Sequence, residues 1–318
     1  MQCRICGSTG EHRTYVAKEM MLGLRDEHAY FQCVDCNCLQ ITTIPDDLAR
    51  YYPENYYSYR DTASADNALK QTLIKQRNYY AATGQGLLGR LLQFLSPNAK
   101  LATLRPTGIT PQSTILDVGC GAGHLLHSLR DVGFQHLLGI DPFNRETIQY
   151  DNGLRIEKRD IFSATGAWDL VMFHHSFEHL PDQQAHLKRA FELVKPGGMA
   201  LVRVPTVSSW AWQEYGVNWA QLDAPRHLYL HSLVSMHQLA TQTGFNLEQV
   251  VYDSNGFQFW GSQQYEHDIA LREPRSWAEN PAQSLFNAKQ IQAFDQRARE
   301  LNTLNQGDQA AFYLRKPA

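Results

Sequence analysis

The sequence predicts an α/β fold, a doubly wound and mostly parallel sheet with helices on both faces, preceded by a small cysteine-bearing module. Three observations carry that expectation. From Thr114 onward short apolar runs alternate with amphipathic segments. The first run ends in a glycine turn, Gly119-Cys120-Gly121-Ala122-Gly123, and four cysteines near the N-terminus fall in two pairs, Cys3/Cys6 and Cys33/Cys36. Strands that alternate with helices imply right-handed crossovers and parallel neighbours.

Residues 1–44 read as the cysteine module, with short extended pieces such as Tyr30-Phe31-Gln32 and Leu39-Gln40-Ile41 around two cysteine turns. Pro45 ends that pattern, and residues 45–111 form a tyrosine-rich and helical linker or lid. Tyr51, Tyr52, Tyr56, Tyr57 and Tyr59 cluster around Pro53 and Asn55, either as a lid or sugar platform or as a buried linker. Between Asn67 and Leu95 the apolar residues fall at helical spacing, with a break at Gly84-Gln85-Gly86. The main domain takes residues 112–318, with insertions at 205–230 and 255–309. Its candidate strands are Thr114–Val118, His136–Ile140, Leu154–Lys158, Trp168–Phe173, Met199–Val204, Leu247–Tyr252 and Ala310–Arg315. Helical patterns cover Gly123–Val132, Gln183–Val194, Leu233–Thr243 and a stretch near Ala288–Leu301. Trp210, Trp212 and Trp219 either line a pocket or form a local core, and the patch from Phe257 to Ser262 reads as a pocket wall or a dimer face.

The chain has 318 residues, enough for a large domain with attachments, and its net charge of −3 lacks the basic surplus that nucleic-acid binding needs. No apolar run approaches the ~18 residues of a membrane span. The N-terminus, Met1-Gln2-Cys3-Arg4-Ile5-Cys6, lacks the charged-then-apolar layout of a signal peptide. The expectation is a cytoplasmic protein with a small-molecule partner; its oligomeric state is open, a homodimer included.

Two residues between thiolates let both sulfurs face one ion from a tight turn, and a second such turn completes a tetrahedral site. Cys3, Cys6, Cys33 and Cys36 are therefore expected to hold a structural Zn2+, with no coordination position left open. The stretch between the pairs is longer than the usual ribbon spacing, which a hairpin absorbs. The alternative is reduced surface cysteines in a reducing compartment. Cys38 could replace one ligand.

The run Ile115-Leu116-Asp117-Val118 enters the glycine turn, where the chain can bend sharply and a ligand can touch backbone at a strand's carboxyl end. Its third glycine comes one residue too early for the dinucleotide spacing G-x-G-x-x-G, and Asp117 would repel a pyrophosphate, so a cationic or zwitterionic ligand fits better. The next two strands end in Asp141 and Asp160, placed to accept from ribose hydroxyls and an adenine amine; both could instead cap helices. The fourth leads into His174-His175-Ser176-Phe177-Glu178-His179, and Val194-Lys195-Pro196-Gly197-Gly198 turns into the fifth.

These ordered motifs resemble the class I S-adenosylmethionine-dependent methyltransferases over roughly two thirds of the chain. The resemblance implies a Rossmann-like, seven-stranded methyltransferase sheet and an S-adenosylmethionine cofactor. It places Asp117, Gly119, Cys120, Gly121 and Gly123 around the methionine part, Asp141 and Pro142 at the ribose, Asp160 and Ile161 at the adenine, and His174 or His175 beside the sulfonium. The cysteine module, the run from Arg50 to Tyr57 and the segment Leu222-Asp223-Ala224-Pro225-Arg226-His227-Leu228 also resemble a bacterial zinc-ribbon group related to sugar C-methyltransferases and to enzymes that methylate glycans or secondary metabolites. Those sugar enzymes carry a further large C-terminal domain, for which this chain is expected to stop too soon.

Methyl transfer asks the protein to position an acceptor and take its proton, work that suits a histidine. His227 is the leading candidate base, against a capping or core histidine; His179 and Glu178 follow, and a packing and capping role is favoured for that pair. The expected reaction is O-methylation of a sugar, glycan or small-metabolite hydroxyl. Its rivals are C- or N-methylation and a non-catalytic cofactor-binding protein.

Overall fold

Near-continuous apolar runs build the central sheet of the computed structural model, which describes residues 1–52 and 68–318. Tyr56, Tyr57 and Tyr59 lie outside the described residues. The chain forms β1 (Arg13–Lys18), β2 (Glu27–Gln32) and β3 (Leu39–Ile41), then α1 (Ala68–Thr83), α2 (Leu87–Leu95) and α3 (Ala99–Ala102). The main domain follows with β4 (Thr114–Val118), α4 (His124–Asp131), β5 (His136–Ile140), β6 (Ile148–Gln149), β7 (Arg155–Glu157), β8 (Trp168–His174), α5 (Gln183–Leu193) and β9 (Val194–Pro205). It ends with α6 (Trp210–Tyr215), β10 (Tyr229–Leu230), α7 (Leu233–Thr243), β11 (Asn246–Tyr252), α8 (Phe257–Glu266), α9 (Ala288–Thr303) and β12 (Gln309–Arg315).

Eight strands lie in the order β11-β12-β9-β8-β4-β5-β7-β6. The run from β9 to β7 is parallel, while β12 is antiparallel between β9 and β11. Because successive side chains point to opposite faces, Ile115, Leu170, Met172 and Leu201 pack in one core with Leu126 and Leu129 of α4 and Ala82 of α1. Their neighbours Leu116, Val171, Phe173 and Val202 pack in the other with Leu187 of α5 and Leu239 of α7. To the seven strands expected, the structure adds β6, a two-residue edge strand antiparallel to β7 and too short to show a period.

A β1–β2 hairpin occupies the stretch between the cysteine pairs. The N-terminal sheet has the order β1-β2-β3-β10, so its fourth strand comes from beyond residue 228, inside the main domain. Ser232 caps α7 in a reciprocal box with Ser235, and Gly244 ends that helix in the left-handed region at φ 94°. The three tryptophans form local packing. Trp212 lies against Tyr15 and Trp219, Trp210 against Phe259 of α8, and the buried Trp219 indole donates to Asp308 at 2.9 Å.

Candidate active site

β4 carries Asp117 to the carboxyl edge of the sheet, and the chain then turns through Gly119, Gly121 and Gly123 at φ 71°, 56° and 76°, the left-handed region that favours glycine. Space forbids side chains at the first and last of these. A Cβ on Gly119 would lie 2.5 Å from Ser176 Cβ, and one on Gly123 would lie 2.4 Å from Ile156 Cδ1. Asp141 holds the turn from the side: its Oδ2 accepts from the Gly121 amide at 2.8 Å and its Oδ1 from the Phe143 amide at 2.9 Å. Pro142 between them is exposed.

Asp117 is buried, and among the described residues its Oδ1 has no hydrogen-bond partner. Burial, reinforced by the neighbouring Asp141, pushes its carboxyl up to about 8. An unpartnered buried carboxyl beside an open backbone turn suits a ligand with positive charge and donors, and a cationic cofactor fits this donor set. Asp160 is exposed in the loop three residues past β7, where its Oδ1 accepts from the Ser163 amide at 3.0 Å, and the adjacent Ile161 is buried. Burial pushes the Cys120 thiol up.

The loop after β8 is tied to this turn, because the Ser176 hydroxyl donates to Val118 O at 2.6 Å. The same loop brings the three candidate catalytic residues together. One donor atom from each of Glu178, His179 and His227 lies within 4.8 Å of the others. His227 Nδ1 is 2.8 Å from Gln221 O, and a carbonyl only accepts, so Nδ1 carries a hydrogen and Nε2 is the nitrogen turned toward the site. That Nε2 faces Glu178 Oε1 at 3.9 Å and Asp223 Oδ2 at 3.7 Å. His179 is oriented in the same way, its Nδ1 at 2.9 Å from Arg226 O, and its ring meets that of His227 edge-on with centroids 4.8 Å apart. The Tyr52 hydroxyl also reaches His179 Nδ1, at 3.1 Å, so this member of the tyrosine cluster lies at the site.

Glu178 is 1% exposed. Burial alone would raise its carboxyl, but the hydrogen bond from His175, with the imidazoles of His179 and His227 beside it, outweighs that and holds it at about 2. Burial pushes the His179 imidazole down. His175 has φ 57° and both ring nitrogens engaged, Nδ1 with Glu178 at 3.3 Å and Nε2 with Arg203, which pairs with Asp253 at 2.6 Å. Burial, with Arg203 next, pushes His175 down. His174 is pushed well below its ordinary value by burial and Arg203, and its Nε2 is buried without a partner.

Away from this centre, the sulfurs of Cys3, Cys6, Cys33 and Cys36 all lie within 4.8 Å of one another, with Cys3 to Cys36 at 3.6 Å and Cys6 to Cys33 at 3.5 Å. The hydrogen bond with Cys36 is the main cause that lowers Cys3 to about 4, and Gln40 Nε2 also donates to its sulfur at 2.8 Å. This donor set fits one thiophilic ion. Cys38 is fully buried and stands outside the group.

The family model described as "Methyltransferase domain" matches residues 80–250, more than half of the chain. The chain belongs to this methyltransferase family. The match runs from within α1 into β11, so in this methyltransferase domain it includes the glycine turn, Asp141, Glu178, His179 and His227, and excludes the four cysteines. A trans-aconitate 2-methyltransferase of Deinococcus radiodurans is 26% identical over 158 residues, 48% of each chain. A ubiquinone biosynthesis O-methyltransferase of Acinetobacter baumannii is 36% identical over 96 residues, 26% of this chain and 40% of its own. The chain thus spans less than half the length of these relatives. A solved S-adenosylmethionine-dependent methyltransferase from Mesorhizobium loti aligns over 70% of this chain and 100% of its own, at 15% identity and a TM-score of 0.45. Among the described residues, no helix of the chain is long and apolar enough to cross a membrane.

Sequence reasoning missed four contributors to the site. Asp223 and Arg226 flank Pro225 in the quoted segment, where their spacing of three was the available signal. Glu19, which pairs with Arg226 at 2.9 Å, and Tyr30, whose hydroxyl donates to the His227 carbonyl at 2.9 Å, sit in the cysteine module, and no local pattern connects them to His227.

Proposed function

We propose that the chain is an S-adenosylmethionine-dependent O-methyltransferase acting on a hydroxyl of a sugar, glycan or small metabolite, with His227 as the base. The observation that carries this reading is the convergence of Glu178, His179 and His227 on a loop tied to the glycine turn. When bound, S-adenosylmethionine supplies a methyl group activated by its sulfonium for in-line displacement. Asp117 and Asp141 would hold its charged and polar groups, with Asp160 and Ile161 at the adenine end. His227 Nε2 would take the proton of the acceptor hydroxyl when the methyl group passes to its oxygen and the cofactor's sulfur leaves as a neutral thioether. Glu178, ionised at about 2, stabilises the resulting imidazolium, and the Gln221 carbonyl fixes the ring so that Nε2 is the atom offered. The O-methyltransferase relative supports a hydroxyl acceptor. His174 fits a place near the sulfonium; His175, with both nitrogens engaged, fits a role in holding Glu178.

The test is methyl release from labelled cofactor across pools of nucleotide sugars, polysaccharides and small metabolites. Label appearing in a base-stable, hydroxyl-derived ether supports the reading. Label on nitrogen or carbon moves it to the rival transfers, and tight cofactor binding without release from any pool favours a binding protein. The four cysteines are assigned a structural zinc ion. Elemental analysis should find one equivalent per chain, and less than about half would count against the site.

A further inference from the structure

Arg226 is 1% exposed and lies next to the candidate base. Its Nε and one terminal nitrogen grip both oxygens of Asp223 at 2.9 and 2.6 Å. The same terminal nitrogen reaches Glu19 Oε1 in the cysteine module at 2.9 Å, and the other donates to Tyr51 O at 3.3 Å. Glu19 is itself fixed, accepting from the amides of Leu22 and Leu24 at 2.8 and 2.9 Å. On the other side of the segment, the Tyr30 hydroxyl donates to the His227 carbonyl at 2.9 Å, and the Ile41 amide donates to Leu228 O at 3.0 Å. The Ser232 hydroxyl closes the connection on Cys36 O, the carbonyl of one of the four thiolate residues.

We propose that Arg226 and Tyr30 are positioning residues that make the cysteine module a wall of the acceptor site, fixing the place and protonation of His227. Arg226 does this in two ways. Its fork holds the backbone segment against the module, and its charge neutralises Asp223, the carboxylate 3.7 Å from His227 Nε2. The charged and titratable groups facing that imidazole are Glu178, Asp223 and His179, with Arg226 behind Asp223. Without Arg226, Asp223 is free to pair with a protonated His227 and to hold the proton that a base must lose. The four-cysteine site sits at the far end of the same chain of contacts, so metal binding there supports the acceptor side while the cofactor turn stands apart from it. This rests on His227 being the base.

The test uses the full-length, zinc-loaded protein with histidine-selective nitrogen labelling, the His227 signal being assigned from His227→Ala. Its pH titration is compared in wild type, Arg226→Gln, Arg226→Lys and Tyr30→Phe, alongside zinc content and S-adenosylmethionine affinity. Arg226→Gln should raise the His227 midpoint by about 1 pH unit, and Arg226→Lys should restore most of that shift. Cofactor affinity should stay within about twofold, and zinc content should not change. If Arg226→Gln fails to fold, Tyr30→Phe decides: it removes one hydroxyl and should reduce the population carrying its proton on Nδ1. A His227 midpoint and tautomer unchanged in both Arg226→Gln and Tyr30→Phe would overturn the proposal, whatever the turnover. Unaltered turnover in His227→Ala would instead remove the base reading and leave the coupling to be judged on the titration.

Discussion

His227→Ala should lower turnover by ~100-fold or more while cofactor affinity remains within about twofold of wild type. The split follows from where the residue sits. No hydrogen bond joins His227 to Asp117, Asp141 or the glycine turn, so nothing that shapes the cofactor crevice is lost with its imidazole. What is lost is the Nε2 lone pair and the partner that shares Glu178's charge. His179 lies close enough to leave a residual rate, but its Nδ1 already serves Arg226 O and Tyr52, and burial disfavours its protonated form. Kinetics on the acceptor found by methyl release, paired with calorimetry, check this outcome. A parallel fall in cofactor affinity would mean that His227 supports the crevice rather than the chemistry.

Asp141→Ala should abolish measurable S-adenosylmethionine binding and also lower stability by about 1–3 kcal/mol. On sequence alone the expected effect is loss of binding with the fold untouched. The structure adds the second part, because both carboxylate oxygens accept backbone amides, from Gly121 and Phe143, and alanine leaves the buried Gly121 donor unsatisfied. A carboxylate has about four lone-pair positions, so these bonds leave room for a ribose. Calorimetry with cofactor and a denaturant titration separate the two effects. Retained affinity would remove Asp141 from the cofactor site.

The parts of the fold that were legible in the sequence are those whose signal is local. The apolar runs of β4, β5, β8 and β9 stand out because both faces of the sheet are covered, and Gly84 and Gly86 mark the break between α1 and α2. The cysteine tetrad was legible because two residues between thiolates in each turn are the spacing that lets both sulfurs face one point, and the long gap proved to be the β1–β2 hairpin. β10 was not legible: two residues carry no period, and its partner β3 lies far away in sequence. Arg226 escaped notice for the same reason, since its value comes from Glu19. The tryptophan segment at Trp210 follows the local-core alternative, whereas the patch at Phe257, read as pocket wall or dimer face, forms α8 and packs against α6. His231, buried between Ser235 and Gln183, shows how a histidine near the site can be wholly structural.

The most direct test of the cofactor assignment is calorimetric titration of the full-length protein with S-adenosylmethionine at pH 7 in buffers of different ionisation enthalpy. The Asp117 carboxyl stands at about 8 and is mostly protonated at that pH. A cationic ligand favours its ionised form, so binding should release a proton and affinity should rise with pH toward 8. One equivalent bound per chain, with proton release, is the predicted result. No detectable binding would contradict the account.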